Sequence, residues 1–209
     1  MVEASPVVFI IDDDTSVRKS LSRLLRTLGF NVETYESGEH FLSREPYYGI
    51  GCMILDIRMP GLSGMDLHDE LIRAQRALPI IFITGHGDIP MSVRAMKKGA
   101  IDFLPKPFDE EDLLQALDKA IKADRKAKEE KTEHNHTMRL VERLSPRERE
   151  IVPYIVSGML NKQIAFKLGI AEKTVKVHRG RIMEKLGVES VADLVRLAEK
   201  AGIEPPDEK

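Results

Sequence analysis

Residues 7–14 read VVFIIDDD: an unbroken apolar run, mostly β-branched, that stops at three aspartates. A strand with one wet face would alternate, so a short continuous run of this kind reads as a strand buried on both faces. Ser16 to Leu28 follows, with Val17, Leu21, Leu24, Leu25 and Leu28 at helical spacing and Gly29 closing it. The pairing then recurs. Val32 and Tyr35 lie in a weaker strand, with a short helix from Ser37. CMIL (52–55) precedes a helix from Asp66 to Gln75. PIIFIT (79–84) precedes a helix from Ile89 to Lys98 closed by Gly99, and IDFL (101–104) precedes a helix opened by Asp109. Five such units predict an α/β, doubly wound, five-stranded parallel sheet over residues 1–122. Ligands of such sheets sit at the carboxyl ends of the strands.

The rest of the chain reads differently. Residues 123–140 continue the stripe of Leu113, Leu117, Ala120, Ala123 and Ala127 into a polar tract of helix formers, a linker that is either a rigid helix or a tether. His134 and His136 lie in that tract with no cysteine beside them, which reads as solvated polarity rather than a metal site. Residues 141–209 carry no strand signal. Ser145-Pro146-Arg147-Glu148 is an N-cap, a proline at the first helical position and a glutamate at the third. Asn161 is read as the cap of a short helix ended by Gly169; a longer one runs from about Ala171 to Gly187, and Ser190 to Ala201 is the last. The expectation is an all-α domain with a tight turn between its second and third helices.

Charge separates the two parts. Residues 1–122 hold 14 Lys+Arg against 19 Asp+Glu, and residues 123–209 hold 18 against 15. The basic surplus concentrates between Asn161 and Gly187, which suits nucleic acid and equally suits a solvated helical face. No apolar stretch approaches the roughly 20 residues of a membrane span. The opening MVEASPVV lacks the order of a signal peptide. Cys52, the single cysteine, lies in an apolar run and reads as a buried hydrophobe. A cytoplasmic protein without a membrane partner is expected.

The chemistry lies at the strand ends. Asp12, Asp13 and Asp14 follow the first strand, Asp56 the third, Thr84 ends the fourth, and Lys106 follows the fifth. The fold gathers them at one sheet edge. Clustered carboxylates stay ionised only beside a cation or hydrogen bonds, and a hard divalent ion such as Mg²⁺ is the natural partner. A carboxylate nucleophile, a metal, a lysine and a hydroxyl compose a phosphoryl-acceptor site. In the second half, KLGIAEKTV between two helices, with basic residues crowding the second, is a helix-turn-helix signal.

With FIIDDD, LDIRMPGLSG, FITGHGD and FLPKPF, residues 7–122 resemble a response-regulator receiver domain, a flavodoxin-like fold. With LSPREREI, NKQIAFKLGIAEKTVKVHRGRIMEKLGV and SVADLVRLA, residues 144–201 resemble a LuxR/NarL-type DNA-binding domain. Together they resemble the FixJ/NarL class. The resemblance implies phosphorylation of Asp56 by a sensor histidine kinase, with Mg²⁺ held by Asp12, Asp13, Asp56 and the Arg58 carbonyl. It implies that Thr84 and Lys106 contact the phosphoryl group, that Lys106-Pro107 is cis, and that Phe103 is the switch aromatic; read from the residues alone, Phe103 is core packing. It implies a recognition helix over 172–187, pairing through the last helix, homodimers on phosphorylation, promoter half-sites in double-stranded DNA, and RNA polymerase as a further partner, most often in activation. No turnover of an external substrate is implied. Lys176 and Val177 match base-reading positions; Lys162, Thr174, His178, Arg179 and Arg181 suit phosphates, with His178 alternatively structural; Lys173 and Gly180 share the open face. Gly180 departs from the family's pattern, in which relatives often carry a larger polar residue there. A haloacid-dehalogenase-type phosphatase, whose motif nearly fits Asp12, Asp14 and Ser16, leaves the basic half unexplained. A receiver that is never phosphorylated is the other rival, set against an intact acceptor set.

Overall fold

The structure, a computed structural model, describes residues 5–76, 78–85 and 89–206. His86, Gly87 and Asp88 of the FITGHGD segment lie outside the described residues. The chain divides into two compact units, Met1–Lys128 and Glu129–Lys209.

In the first unit, β1 (Val7–Ile11), β2 (Asn31–Tyr35), β3 (Gly51–Asp56), β4 (Ile80–Thr84) and β5 (Asp102–Pro105) form one parallel sheet in the order β2-β1-β3-β4-β5. The helices between them are α1 (Thr15–Thr27), α2 (Gly38–Leu42), α3 (Gly64–Arg73) and α4 (Ile89–Lys97), and α5 (Glu110–Glu142) follows β5. The strand side chains divide by parity between two cores. Val8, Ile10, Ile54, Ile81 and Ile83 pack with Leu21 and Leu25 of α1 and Leu113, Ala116 and Leu117 of α5. Phe9, Ile11, Met53, Leu55 and Phe82 pack with Phe41, Leu67, Leu71 and Ala95 from α2, α3 and α4. Covering both faces is what makes β3 and β4 apolar at nearly every position. Cys52 is fully buried there, and that burial pushes its thiol up to about 12.

Boundaries differ from the sequence reading by a residue or two. The third helix begins at Gly64, capped by the Ser63 hydroxyl, and ends before Gln75, whose φ of 53° cannot continue a helix. The linker 123–140 lies wholly inside the 33-residue α5. The division falls after Lys128 rather than after residue 122 because that part of α5 bonds back to the sheet. Buried Asp124 accepts from the Gly51 N–H (2.8 Å), and Lys128 Nζ bridges Asp124 and the Gly49 carbonyl, both at 2.5 Å.

The second unit is helical among its described residues: the end of α5, then α6 (Pro146–Val156), α7 (Asn161–Leu168), α8 (Glu172–Leu186) and α9 (Val191–Lys200). Ile151, Val152, Ile155, Ile164, Val175, Ile182, Leu186 and Leu194 form its core. The capping box at Ser145 and Glu148 is present. Asn161 is not the cap of α7. Leu160 holds that position, its N–H donating to Gln163 Oε1, while Asn161 is the first helical residue and its Oδ1 accepts from Arg179 (3.2 Å) on α8. Gly169, left-handed at φ 63°, turns the chain from α7 into α8.

Glu148 is only 2% exposed and ties α6 to α8 through Lys185 Nζ (2.6 Å). Burial by itself would raise its carboxyl; Lys185 and the Ser145 hydroxyl and N–H outweigh that and hold it at about 2. The depressed value stabilises this unit above the unfolded value of 4.5, and the gain is lost as pH falls toward 2. Glu148→Ala removes a capping partner and leaves Lys185, itself partly hydrated, unpaired. The expected cost at pH 7 is about 2 kcal/mol, with a flattened acid limb, read by denaturant melts of residues 129–209 between pH 2 and 7.

Candidate functional site

At the carboxyl edge of the sheet the side chains converge as the strand ends require. Asp12 follows β1 directly, Asp56 closes β3, Thr84 closes β4, and Lys106 follows β5. Lys106 is fixed by its N–H donating to the Thr84 carbonyl (2.7 Å) and precedes a cis bond to Pro107. Its ammonium donates to Asp12 Oδ2 (2.7 Å) and Asp56 Oδ1 (2.8 Å). Asp12 is 1% exposed, Asp56 5% and Thr84 1%, so the lysine is the cation between two buried carboxylates. Burial raises the Asp56 carboxyl, and the nearby Asp12 charge adds to it, against the pull of Lys106 and the Arg58 N–H. Burial would lower Lys106, but its bonds to Asp12 and Asp56 raise it, so the ammonium stays charged.

The other acidic residues divide. Asp14 caps α1, its Oδ1 accepting from the Ser16 N–H and hydroxyl, both at 2.7 Å. Those bonds hold its carboxyl below the usual range. Asp13 is exposed and lines a groove with Arg58, Met59, Asp66, Asp69, Met91 and Lys98. The Arg58 N–H donates to Asp56 Oδ2 (2.7 Å). Asp12, Asp13, Asp56 and the Arg58 carbonyl offer only hard oxygen donors, and Asp56 and Asp12 share a surplus of negative charge, which suits a divalent cation of the Mg²⁺ type. Side chains alone do not enclose one: among the described residues no group of three His, Cys, Asp or Glu is arranged to hold a metal ion.

Phe103 pairs in register with Phe82, one step below the Thr84–Pro105 pair on the same sheet face. It is half-buried against the core shared with α3 and α4. The α3 side of the site is set by a close approach: a Cβ at Gly64 would lie 2.2 Å from the Asp56 carbonyl oxygen and 3.0 Å from Ile57 Cα.

In the second unit, α8 has Val175, Ile182 and Leu186 buried. Lys173, Thr174, Lys176, Val177, Gly180 and Arg181 are exposed, as is Lys162 on α7; Val177 exposes 45% of its surface. His178 and Arg179 are half-buried: Arg179 donates to Asn161, and His178 Nδ1 is buried without a hydrogen-bond partner among the described residues.

Residues 8–118 match the family of response regulator receiver domains, and residues 142–198 match the luxR family of bacterial regulatory proteins. The chain belongs to the response regulators of the FixJ/NarL class. This response regulator is 47% identical over 197 residues to nodulation protein W of Bradyrhizobium diazoefficiens, covering 94% of this chain and 87% of that one. It is 41% identical to the transcriptional regulatory protein FixJ of the same organism, covering 94% and 96%. A solved structure of the response regulator StyR superposes with a TM-score of 0.84 at 49% identity, covering 94% of this chain and all of that one. The response regulator is thus a two-component transcription factor with a receiver and a LuxR-type DNA-binding domain. Among its described residues no helix is long and apolar enough to cross a membrane. The sequence reading missed Arg18, which donates to the Asp12 carbonyl, and the Asp124 anchor. Arg18 left a signal, a cation near the start of α1; Asp124 sits in a tract whose polarity hides it.

Two glycines on these surfaces have opposite expected outcomes. Gly64→Ala forces a methyl against the Asp56 backbone and should cost about 1–3 kcal/mol in a denaturant melt of the receiver. At Gly180 a Cβ would meet nothing within 4 Å. Gly180→Ala should therefore stabilise residues 129–209 by about 1 kcal/mol, and a thermal melt showing destabilisation would contradict this.

Proposed function

We propose that Asp56 accepts a phosphoryl group from the phosphohistidine of a sensor kinase, and that the modified receiver controls sequence-specific, dimeric DNA binding by α8. The observation that carries the reading is the buried Asp12–Lys106–Asp56 arrangement at the sheet edge. An Asp56 carboxylate oxygen attacks phosphorus, a P–O bond forms, and the P–N bond to the histidine breaks, the electron pair returning to the imidazole nitrogen. Lys106 Nζ, already against Asp56, follows the new negative charge onto the phosphoryl oxygens. Mg²⁺, when held by Asp12, Asp13, Asp56 and the Arg58 carbonyl, would offset the remaining charge on those oxygens. The Thr84 hydroxyl turns toward the new acceptor, and Phe103, on the same face one step along, moves into the space that leaves. The β5 and α4 surface changes as a result, and two chains pair. On DNA, Lys176 reads a guanine edge and Val177 a thymine methyl, while Lys162, Lys173, Thr174 and Arg181 meet phosphates; Arg179 acts chiefly by bonding α8 to Asn161 of α7. Pairing through α9 spaces two half-sites, and recruitment of RNA polymerase there makes the outcome activation.

Acetyl phosphate with Mg²⁺ should add one phosphoryl group, mapped by mass spectrometry to the Asp56 peptide. Asp56→Asn should add none while melting like the wild type; phosphate retained by that variant would place the acceptor elsewhere. On DNA, Lys176→Ala should cost on the order of 1–3 kcal/mol at the specific site and little on a scrambled duplex. Arg181→Ala should weaken both duplexes alike and flatten the salt dependence. Equal losses on both duplexes for Lys176→Ala would remove it from base reading.

A further inference from the structure

Arg18 occupies a place that helix energetics disfavours. It lies near the start of α1, where a cation opposes the macrodipole; the N-cap carboxylate of Asp14 stands at that end, and the first turn itself carries no acidic residue. Its guanidinium is instead turned back to the acidic loop: Nη1 donates to the Asp12 backbone carbonyl (2.6 Å) and Nη2 to Thr15 Oγ1 (3.0 Å). Asp12 is thereby held at three points. Its Oδ1 accepts from the Asp14 N–H (2.8 Å), its Oδ2 from Lys106 (2.7 Å), and its carbonyl from Arg18. Asp13 has no such support. It is exposed, and its carboxylate accepts no hydrogen bond from the described residues. What directs it is its own backbone, beginning with the peptide that joins it to Asp12, and the oxygen of that peptide is the one Arg18 holds.

We infer that Arg18 is a positioning residue for the acidic loop: by clamping the Asp12 carbonyl it sets the direction in which Asp13 and Asp12 present oxygen to Mg²⁺. The inference rests on the phosphoacceptor reading above and deepens it. It also fixes a sign. A bare positive charge beside the loop would repel a divalent ion, so removing Arg18 would tighten metal binding if charge were its whole effect. A clamp does the opposite, because partners that orient metal ligands typically contribute 10–100-fold in affinity.

The test is a Mg²⁺ titration of the full chain by calorimetry, beside amide NMR of Asp13 and Asp14. Arg18→Ala and Arg18→Met should each weaken Mg²⁺ by about tenfold, and the Asp13 amide should shift in both before metal is added. Arg18→Lys, which keeps a donor of similar reach, should stay within about threefold of the wild type. Met retains the aliphatic packing, so it carries the test if the Ala variant melts early. Unchanged or tighter Mg²⁺ binding by Arg18→Met overturns the clamp while leaving Asp56 as the acceptor. A wild type that binds no Mg²⁺ and takes no phosphate from acetyl phosphate overturns the acceptor reading itself, and the clamp with it.

Discussion

The receiver turns on one ammonium between two buried carboxylates. Asp12 and Asp56 lie at the ends of adjacent strands, almost wholly out of water, and each contacts Lys106 Nζ. Burial and the neighbouring Asp12 charge push the Asp56 carboxyl up, and the lysine between the two carboxylates pulls against that shift. This makes the unmodified state well held and easily redirected. In the proposed switch, a phosphoryl group on Asp56 would bring new negative charge that competes for the same ammonium, so Lys106 would change partner without a second cation having to enter the site. Thr84 and Phe103 lie on the next two strands, β4 and β5, which pair directly, with Phe103 opposite Phe82 and Thr84 opposite Pro105, so the sheet edge at Asp56 is joined to β5 through packed neighbours.

The strand that carries Asp56 is held at both ends. At its carboxyl end, Gly64 lets the first turn of α3 sit against the Asp56 backbone. At its amino end, the Gly51 N–H donates to Asp124 of α5, and Lys128 closes the same corner. The helix that leaves the receiver is therefore bonded to the very strand that bears Asp56, the proposed acceptor. In the second unit the corresponding constraint is Glu148–Lys185, which fixes α6 to the helix proposed to read DNA. Both are buried carboxylates that meet a lysine and a backbone N–H among the described residues, the combination that makes a charge tolerable inside a protein.

The parts of the fold legible in the sequence are those fixed by local periodicity. VVFII and PIIFIT are apolar throughout because both sheet faces are covered, and the aspartates and Thr84 at the strand ends mark the sheet edge without any need of contacts. The Ser145 capping box was equally local, its two partners three residues apart. What escaped depends on partners distant in sequence. Asn161 has the chemistry of a cap, but Arg179, eighteen positions on, takes its oxygen and the cap shifts to Leu160. Asp124 looks like one more charge in a polar tract, and only Gly51, seventy-three residues earlier, reveals it as an anchor. Arg18 lies between these cases: the sequence shows a cation where a helix prefers an anion, and the structure supplies the carbonyl that explains it.

The central claim, that charge added at Asp56 is transmitted to DNA binding, is tested most directly by one comparison. The affinity of the full chain for its operator duplex and its sedimentation behaviour should be measured with and without acetyl phosphate and Mg²⁺, with Asp56 occupancy quantified by mass spectrometry in the same samples. The account predicts that the phosphorylated chain sediments as a dimer and binds the operator more tightly, in proportion to occupancy. A chain fully phosphorylated on Asp56 that stays monomeric and binds with unchanged affinity would contradict it.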